Sequence, residues 1–321
     1  MRLFQLMAAA MTTAFSLSPV DVSAFPDAPI RFVVPQPPGG VPDSVARVLG
    51  HGLAAQLGWN VMVDNRPGAA GIIAAVLVAK APPDGTTLFI ADYGALAINP
   101  SLYAKLPYDP LKDFAPVTLA ATGALFLVTS ETLPVHSVKE LISYAKAKPG
   151  LPFGSAGNGT LHHLGMELFK LLTGVEVTHI PYKGAAQTVQ AMLSGDIAVA
   201  LVALPSVLPH VKAGKLRLLA VSEGKRPSFM PDVPTIAEAG VPGYEITSGM
   251  GVVAPAGTPP DIIAKLNREM VKVLKMPGIG KQFFSLGIDP VGNSPEQYAE
   301  TIRANAEKYS RLVKLSGARI D

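Results

Sequence analysis

The sequence predicts an α/β protein of two lobes, each with a mainly parallel sheet flanked by helices. Short apolar runs alternate with stretches whose apolar residues recur at helical spacing, which is typical of strands joined by helical crossovers. A glycine-rich loop between a strand and a helix occurs twice, near residue 40 and near residue 158. Two further apolar stretches, 117–129 and 251–254, predict extended crossings between the lobes.

The first glycine-rich loop follows a predicted strand at 30–34 and contains Pro35, Pro37, Pro38, Gly39 and Gly40. The helix after it has an apolar stripe at Val41, Val45, Val48, Leu49 and Leu53. The first N–H groups of a helix have no partner within it and lie at the positive end of its dipole. They can therefore bind an anion without a charged side chain. Glycines let a ligand approach the backbone because they have no Cβ. An ordinary turn is the alternative.

The first lobe continues with a strand at 61–63, a small-residue helix at 71–80 and a strand at 86–91. This order predicts a doubly wound parallel sheet, whose ligands lie at the carboxyl ends of its strands. The third strand ends at Asp92 and Tyr93, so both residues are candidates for ligand contact. The alternatives are that Asp92 is a turn residue and that Tyr93 packs in the core.

The second lobe repeats the same arrangement. A capping motif at Ser137 begins a helix, and a strand follows at 151–154. The next loop precedes a leucine-rich helix and holds Gly157, Asn158, Gly159 and Thr160. Like the first loop it has no basic residue, so the repetition favours ligand binding by the backbone at both places. Further elements alternate as strands at 175–180, 197–202 and 216–222 and helices at 185–193 and 206–213.

The chain then returns to the first lobe. A second capping motif begins at Thr235, and the strand at 251–254 leads back. Thr258 and Ser294, each followed by proline, are expected to cap two amphipathic helices on the outer face of the first lobe. The predicted division is a leader at 1–24, a first lobe at 25–120 and 250–321, and a second lobe at 121–249.

The first 24 residues have the layout of a secretory signal peptide. Arg2 precedes a short apolar run, and Val22, Ser23 and Ala24 lie directly before the predicted mature start at Phe25. The chain has no cysteine, which excludes thiol catalysis, iron–sulfur clusters and thiolate zinc sites. Its net charge of +3 is too small and too scattered for nucleic-acid binding. We therefore expect an exported protein that binds no nucleic acid, no metal and no cofactor.

The sequence contains no G-x-S-x-G, no H-E-x-x-H, no Walker loop and no dinucleotide fingerprint. His162 and His163 are adjacent, but neighbouring helical positions point ~100° apart, which disfavours a shared metal ion. Arg66 is expected to form a structural salt bridge, and Lys183 to lie at the rim of the cleft. A binding protein without enzymatic activity is therefore expected. An enzyme on the same fold, and a receptor that signals to a membrane sensor, are the alternatives.

A series of motifs identifies a family resemblance: PPGG-x-x-D-x-x-AR, VDNRPGAAG, AKAPPDG, LAINPSLY, LPYDPLKDFAPV, GSAGNGT, IPYKG, LPSVLPHVKAGKLRLLAVS, MPDVPTIAEAG and APAGTP. Through them the mature chain resembles the periplasmic solute receptors of tripartite tricarboxylate transporters, the TctC or Bug family. The resemblance implies a type II periplasmic-binding-protein fold, the Venus flytrap. Such a protein closes on a small carboxylated solute and delivers it to membrane permease subunits.

In such receptors the two glycine-rich loops hold the ligand carboxylate through backbone amides and waters. The candidate ligand-binding residues are therefore Pro38, Gly39, Gly40, Val41, Asp43, Asp92, Tyr93, Gly157, Asn158, Gly159, Thr160 and Val202. Asp43 is also expected to cap the first helix and to order its loop.

The sequence departs from the family pattern where selectivity is expected to be set. Asp92 and Tyr93 occupy a loop that usually carries small hydroxyl residues, and Val202 stands where an Asp is frequent. Gly249 and Met250 replace a common aromatic residue. A charge at Asp92 would repel a second carboxylate beside it. We expect a monocarboxylate, or a solute that directs an amine or hydroxyl at Asp92, rather than a polycarboxylate that places an acid there.

Overall fold

The structure is a computed structural model that describes residues 25–319, so the predicted signal peptide lies outside the described residues. The strands are β1 (Ile30–Val34), β2 (Val61–Asn65), β3 (Thr87–Asp92), β4 (Phe114–Ser130), β5 (Leu151–Ser155), β6 (Val177–Pro181), β7 (Val199–Ala203), β8 (Leu216–Val221), β9 (Thr247–Pro255) and β10 (Ile288–Pro290). The helices are α1 (Val41–Leu57), α2 (Ile72–Ala79), α3 (Asn99–Leu102), α4 (Val138–Ala147), α5 (Leu161–Thr173), α6 (Ala185–Ser194), α7 (Leu204–Lys212), α8 (Pro260–Leu274), α9 (Ile279–Ser285) and α10 (Pro295–Ser316). A 3₁₀ turn (Ala69–Gly71) precedes α2, and a π-helix (Gly94–Ile98) leads into α3.

The strands form one mixed sheet in the order β2-β1-β3-β9-β4-β7-β5-β6, with β8 and β10 also paired to β4. In the first lobe β1 runs parallel to β2 and β3, and in the second β5 runs parallel to β6 and β7. Strands β4 and β9 are antiparallel to their neighbours. Each lobe thus has the predicted parallel core, and the predicted fold class is confirmed.

The predicted crossings are the paired strands β4 and β9. The first part of β4, from Phe114 to Ala124, pairs with β9, and the part from Leu125 to Ser130 pairs with β7 and β8. One continuous strand therefore serves both lobes. The predicted lobe boundaries at 120/121 and 249/250 fall inside these two strands and stay predictions.

The last helix makes one contact that the sequence did not predict. Helix α10 packs against β4 and the π-helix of the first lobe, and also against α5 of the second lobe. Its buried residues include Tyr298, Ile302 and Tyr309, and the Tyr309 hydroxyl donates to the Thr247 carbonyl at 3.0 Å. The apolar stripe of this long helix is thus shared between the two lobes.

The predicted helix caps are partly confirmed. Ser294 and Gln297 form a capping box at the start of α10. Thr258 does not cap α8: its hydroxyl donates to the Pro255 carbonyl, and Pro259 occupies the N-cap position without a side-chain bond. Helix α9 and strand β10 were not predicted, since elements this short have little periodicity.

The core covers both faces of the sheet. Ile30, Phe32 and Val34 of β1 pack on the side of α1 and α8, whereas Val33 packs on the opposite side with α2. Strands buried on both faces explain why β1 is an unbroken apolar run. Within residues 25–319, no helix is long and apolar enough to span a membrane.

Candidate functional site

A cleft of about 530 Å³ lies at the carboxyl ends of the parallel strands. Residues that follow β1, β2 and β3 line it from the first lobe, and residues that follow β5, β6 and β7 line it from the second. Parts of β4, β9 and β10 complete its wall. Ligands of parallel α/β sheets bind at this edge because the connecting loops meet there.

Six of the predicted residues line this cleft: Val41, Asp92, Tyr93, Asn158, Gly159 and Thr160. The others are not among the lining residues: Pro38, Gly39, Gly40, Asp43, Gly157 and Val202. Val202 is fully buried (0% exposed) in an apolar cluster, where it packs rather than faces the cleft. The remaining five lie in or directly after the two glycine-rich loops.

The first glycine-rich loop is held by a buried carboxylate. Asp43 is 2% exposed and accepts hydrogen bonds from the Gly39 N–H at 2.9 Å and from Asn65 Nδ2 at 3.0 Å. Its two oxygens also accept from Arg47 at 2.9 and 3.0 Å. Burial opposes ionisation of Asp43, but the bonds from Arg47, Gly39 and Asn65 outweigh burial and lower its pKa. Asp43 therefore orders the loop, as expected. It does not cap α1, however, because Gly40 is the N-cap residue and no side chain bonds to the helix there.

The second glycine-rich loop is held by neutral groups. The Ser155 hydroxyl accepts from the Gly157 N–H at 3.1 Å and lies 2.6 Å from His179 Nε2. Thr160 caps α5, and its hydroxyl donates to the Gly157 carbonyl at 2.7 Å. The Gly159 N–H donates to His163 Nδ1 at 3.1 Å. The loop is thus fixed by a hydroxyl–imidazole network.

Two stacked imidazoles support this loop from behind. The rings of His163 and His179 are 3.9 Å apart, and Phe153 stacks on His179 at 4.9 Å. Burial lowers the pKa of both histidines to about 4. Since the Gly159 N–H needs the lone pair of Nδ1, His163 is neutral when this hydrogen bond is made.

Three helices begin at the cleft. Val41 is the first residue of α1, Leu161 and His162 are the first two of α5, and Ala185 is the first of α6, and all four line the cleft. The initial N–H groups of each helix have no partner within the helix, and its dipole is positive there. Among the described lining residues none is Lys or Arg. The cleft can therefore attract a carboxylate through backbone groups.

Asp92 and Tyr93 lie where β3 ends. The Asp92 carboxylate accepts from the Ala95 N–H at 3.0 Å, at the start of the π-helix, and burial raises its pKa. The Tyr93 side chain is 2% exposed and packs against Gly249 of β9. A Cβ at Gly249 would lie 2.1 Å from Tyr93 Cζ. The Tyr93 ring thus fills the space beside the position where the family pattern suggested an aromatic residue.

His162 lies in the wall of the cleft, a position that the sequence did not predict for it. Its Nδ1 is buried with no hydrogen-bond partner among the described residues, and burial lowers its pKa to about 4. Its position directly after the second loop was the signal that could have identified it. The segment Leu286, Gly287 and Ile288 also lines the cleft, but no sequence pattern marked it.

Arg66 forms the predicted salt bridge, with 2.9 Å between its Nε and Asp64 Oδ1. Lys183 is not among the residues that line the cleft.

A model of the protein family described as "Tripartite tricarboxylate transporter family receptor" matches residues 45–318. BugT from Bordetella pertussis is 37% identical over 321 residues, covering 99% of this chain and 98% of BugT. A UPF0065 protein from a Pseudomonas species is 38% identical over 309 residues, covering 96% of this chain and 91% of the relative.

Solved structures with ligands are also similar. Rpa4515 from R. palustris, solved with adipate, has 38% identity and a TM-score of 0.81, covering 92% of this chain and 100% of that one. MatC from Rhodopseudomonas palustris, solved with bound malate, has 31% identity and a TM-score of 0.75, covering 90% of this chain and 100% of that one. These similarities therefore extend over nearly the whole chain.

Proposed function

We infer that this chain, which belongs to the tripartite tricarboxylate transporter receptor family, is a solute-binding protein that captures a small carboxylated organic solute in the cleft between its lobes. The observation that carries this function is the meeting of three helix N-termini around a cleft without basic lining residues. The related proteins with adipate and malate support a carboxylate as the ligand.

Binding relies on N–H donors from both sides of the cleft. A carboxylate that accepts from the start of α1 and from the start of α5 satisfies both lobes at once. Charge-assisted hydrogen bonds of this kind contribute roughly 1.5–3 kcal/mol each. A solute therefore favours the arrangement in which the lobes are close, and binding shifts the protein towards that state. A smaller radius of gyration with a saturating solute is the expected scattering result, and no change contradicts closure.

The roles beyond capture follow from the family, whose members are periplasmic receptors. We propose that the protein is exported by residues 1–24, acts as a monomer and delivers its solute to membrane permease subunits. A mature chain that begins at Phe25 keeps the packing of this residue: its ring meets Trp59 edge-on at 5.8 Å, and its carbonyl accepts from Lys265. Intact-mass analysis of exported protein tests the cleavage site, and an uncleaved product contradicts it.

Ligand capture without catalysis is the expected activity. The test is mass spectrometry of small molecules that co-purify with the protein, followed by calorimetric titration with the solute found and with adipate and malate. Incubation of the same solutes, with product analysis, tests the alternative of an enzyme on this fold. Saturable binding with the solute recovered unchanged supports the proposal. No affinity for any carboxylate, or conversion to a product, overturns it.

A further inference from the structure

We propose that Tyr93 closes one end of the cleft and thereby sets the length of the solute that the receptor accepts. This inference rests on the proposed function, because it concerns which carboxylates fit. In this role Tyr93 is a barrier between the cleft and a surface pocket beside α10. It is not a hydrogen-bonding partner of the ligand.

Gly249 has no side chain, and the Tyr93 ring occupies the space where one would lie. A Cβ at Gly249 would lie 2.1 Å from Cζ, 2.5 Å from the hydroxyl oxygen and 2.6 Å from Cε1 of Tyr93. Real Cβ atoms do not approach this closely, so the ring lies directly on the backbone of β9. Strand pairing imposes this contact, since Asp92 of β3 is paired with Met250 of β9.

A second pocket shares no lining residue with the cleft but has Asn305, which is near the Tyr93 hydroxyl, in its wall. A surface pocket of about 580 Å³ is lined by α10 together with Glu245 and Asn293, and Asn305 and Lys308 belong to its wall. The Tyr93 hydroxyl interacts with the Asn305 side chain, which partly offsets the rise in the tyrosine pKa caused by burial. Tyr93 therefore lines the cleft and has Asn305, a residue of the outer pocket, near its hydroxyl.

Loss of the ring is expected to lengthen the cleft towards this outer pocket. Large-to-small substitutions leave space that the surroundings fill only in part. The chain of a longer solute can occupy that space. Its distal end would then reach Asn305, an amide able to donate a hydrogen bond to a carboxylate or hydroxyl. The wild-type ring instead stops the chain at β9.

The test is calorimetric titration of wild type, Tyr93→Ala, Tyr93→Phe and Gly249→Ala with two series of ligands, propionate to octanoate and malonate to suberate. For Tyr93→Ala the preferred chain length should increase, with affinity rising about fourfold for each additional methylene that is buried. Tyr93→Phe keeps the ring and should keep the wild-type preference. Gly249→Ala should push the ring into the cleft and shift the preference to shorter chains. Tyr144→Ala, a substitution on the distant helix α4, is the control and should change nothing.

An unchanged length preference in Tyr93→Ala overturns the inference. If that variant does not fold, Tyr93→Leu supplies the same test, because it retains an apolar contact but has a shorter side chain. Failure of wild type to bind any carboxylate, including malate and the solute that co-purifies, instead contradicts the proposed function. The two failures are therefore distinguishable.

Discussion

The two glycine-rich loops have the same place in their lobes but are held in different ways. In the first, a buried charge fixes the backbone: Asp43 is bonded to Arg47, Asn65 and the Gly39 N–H. In the second, neutral groups do so: the His163 imidazole and the Ser155 hydroxyl are bonded to loop N–H groups. The same strand–loop–helix design can thus be stabilised by ionic or by uncharged interactions.

The difference predicts different responses to acid. The pKa of Asp43 is lower in the folded protein than in the unfolded chain. Its stabilising contribution is therefore complete above the unfolded-state pKa, and it is lost as pH falls through the lowered folded-state pKa. His163 has an ordinary pKa of about 6.5, which the fold lowers to about 4. Its contribution is complete above about 6.5 and is lost as pH falls towards 4, because the unfolded chain takes up the proton first. As pH falls, the free energy of unfolding should therefore decline first through His163, between about 6.5 and 4, and only at lower pH through Asp43.

The largest effect is expected from Gly159→Val. Gly159 has φ +72, and a Cβ there would lie 2.4 Å from Leu102 of the first lobe. The side chain would hold the second loop away from the first lobe, so solute binding should be lost. Gly174→Val is the matched control: it has φ +67 with no atom within 4 Å of its Cβ, so it carries a similar backbone cost of roughly 1–2 kcal/mol without the clash. Equal affinities of the two variants in calorimetry would contradict this prediction.

A smaller loss is expected from Asp43→Ala, which breaks the ionic support of the first loop. Removing this carboxylate leaves the Gly39 N–H without its partner and Asn65 with only its bond to the Gln36 carbonyl, at a cost of about 1–3 kcal/mol in the free energy of unfolding. Binding should weaken about tenfold, since the loop loses its fixed position. Asp261→Ala removes an exposed acid from the first turn of α8 and serves as the control. Urea unfolding and calorimetry measure both quantities; equal values for the two variants would refute the role of Asp43.

Acid should weaken binding through the second loop. Affinity of the wild type is expected to fall as pH decreases through about 4, the pKa of His163 in the folded protein, because a proton on Nδ1 removes the acceptor of the Gly159 N–H. His163→Asn keeps an acceptor near that position but cannot be protonated in this range, so its profile should be flatter. His51→Asn, on the exposed surface of α1, should follow the wild type. A profile that is the same in all three proteins would assign the pH dependence to the solute alone.

The smallest effect is expected from Asp92→Ser. A serine hydroxyl can also accept from the Ala95 N–H, so the free energy of unfolding should change by less than about 1 kcal/mol. If the Asp92 charge acts on the solute, this variant should bind dicarboxylates better relative to monocarboxylates. Calorimetric comparison of adipate with hexanoate measures this ratio. An unchanged ratio of adipate to hexanoate affinity would show that Asp92 only accepts the hydrogen bond from the Ala95 N–H and does not select the ligand.

Much of this arrangement was predictable from the sequence because its causes are local. The apolar run 30–34 and the stripe that begins at Val41 marked β1 and α1, and the glycine pattern marked both loops. The supports of the loops were not predictable, because their partners are distant in sequence. Asn65 reaches Asp43 from the next strand, and His179 reaches Ser155 from β6. The same holds for Tyr93, whose place depends on the pairing of β3 with β9.

The central claim is that one carboxylate is held by backbone N–H groups from both lobes. Its most direct test is an amide NMR titration of isotope-labelled protein with the carboxylate of highest measured affinity. We predict the largest shifts at the amides of Val41, Leu161 and His162, saturating together at one affinity. Shifts confined to one lobe, or centred on a Lys or Arg side chain, would contradict the account.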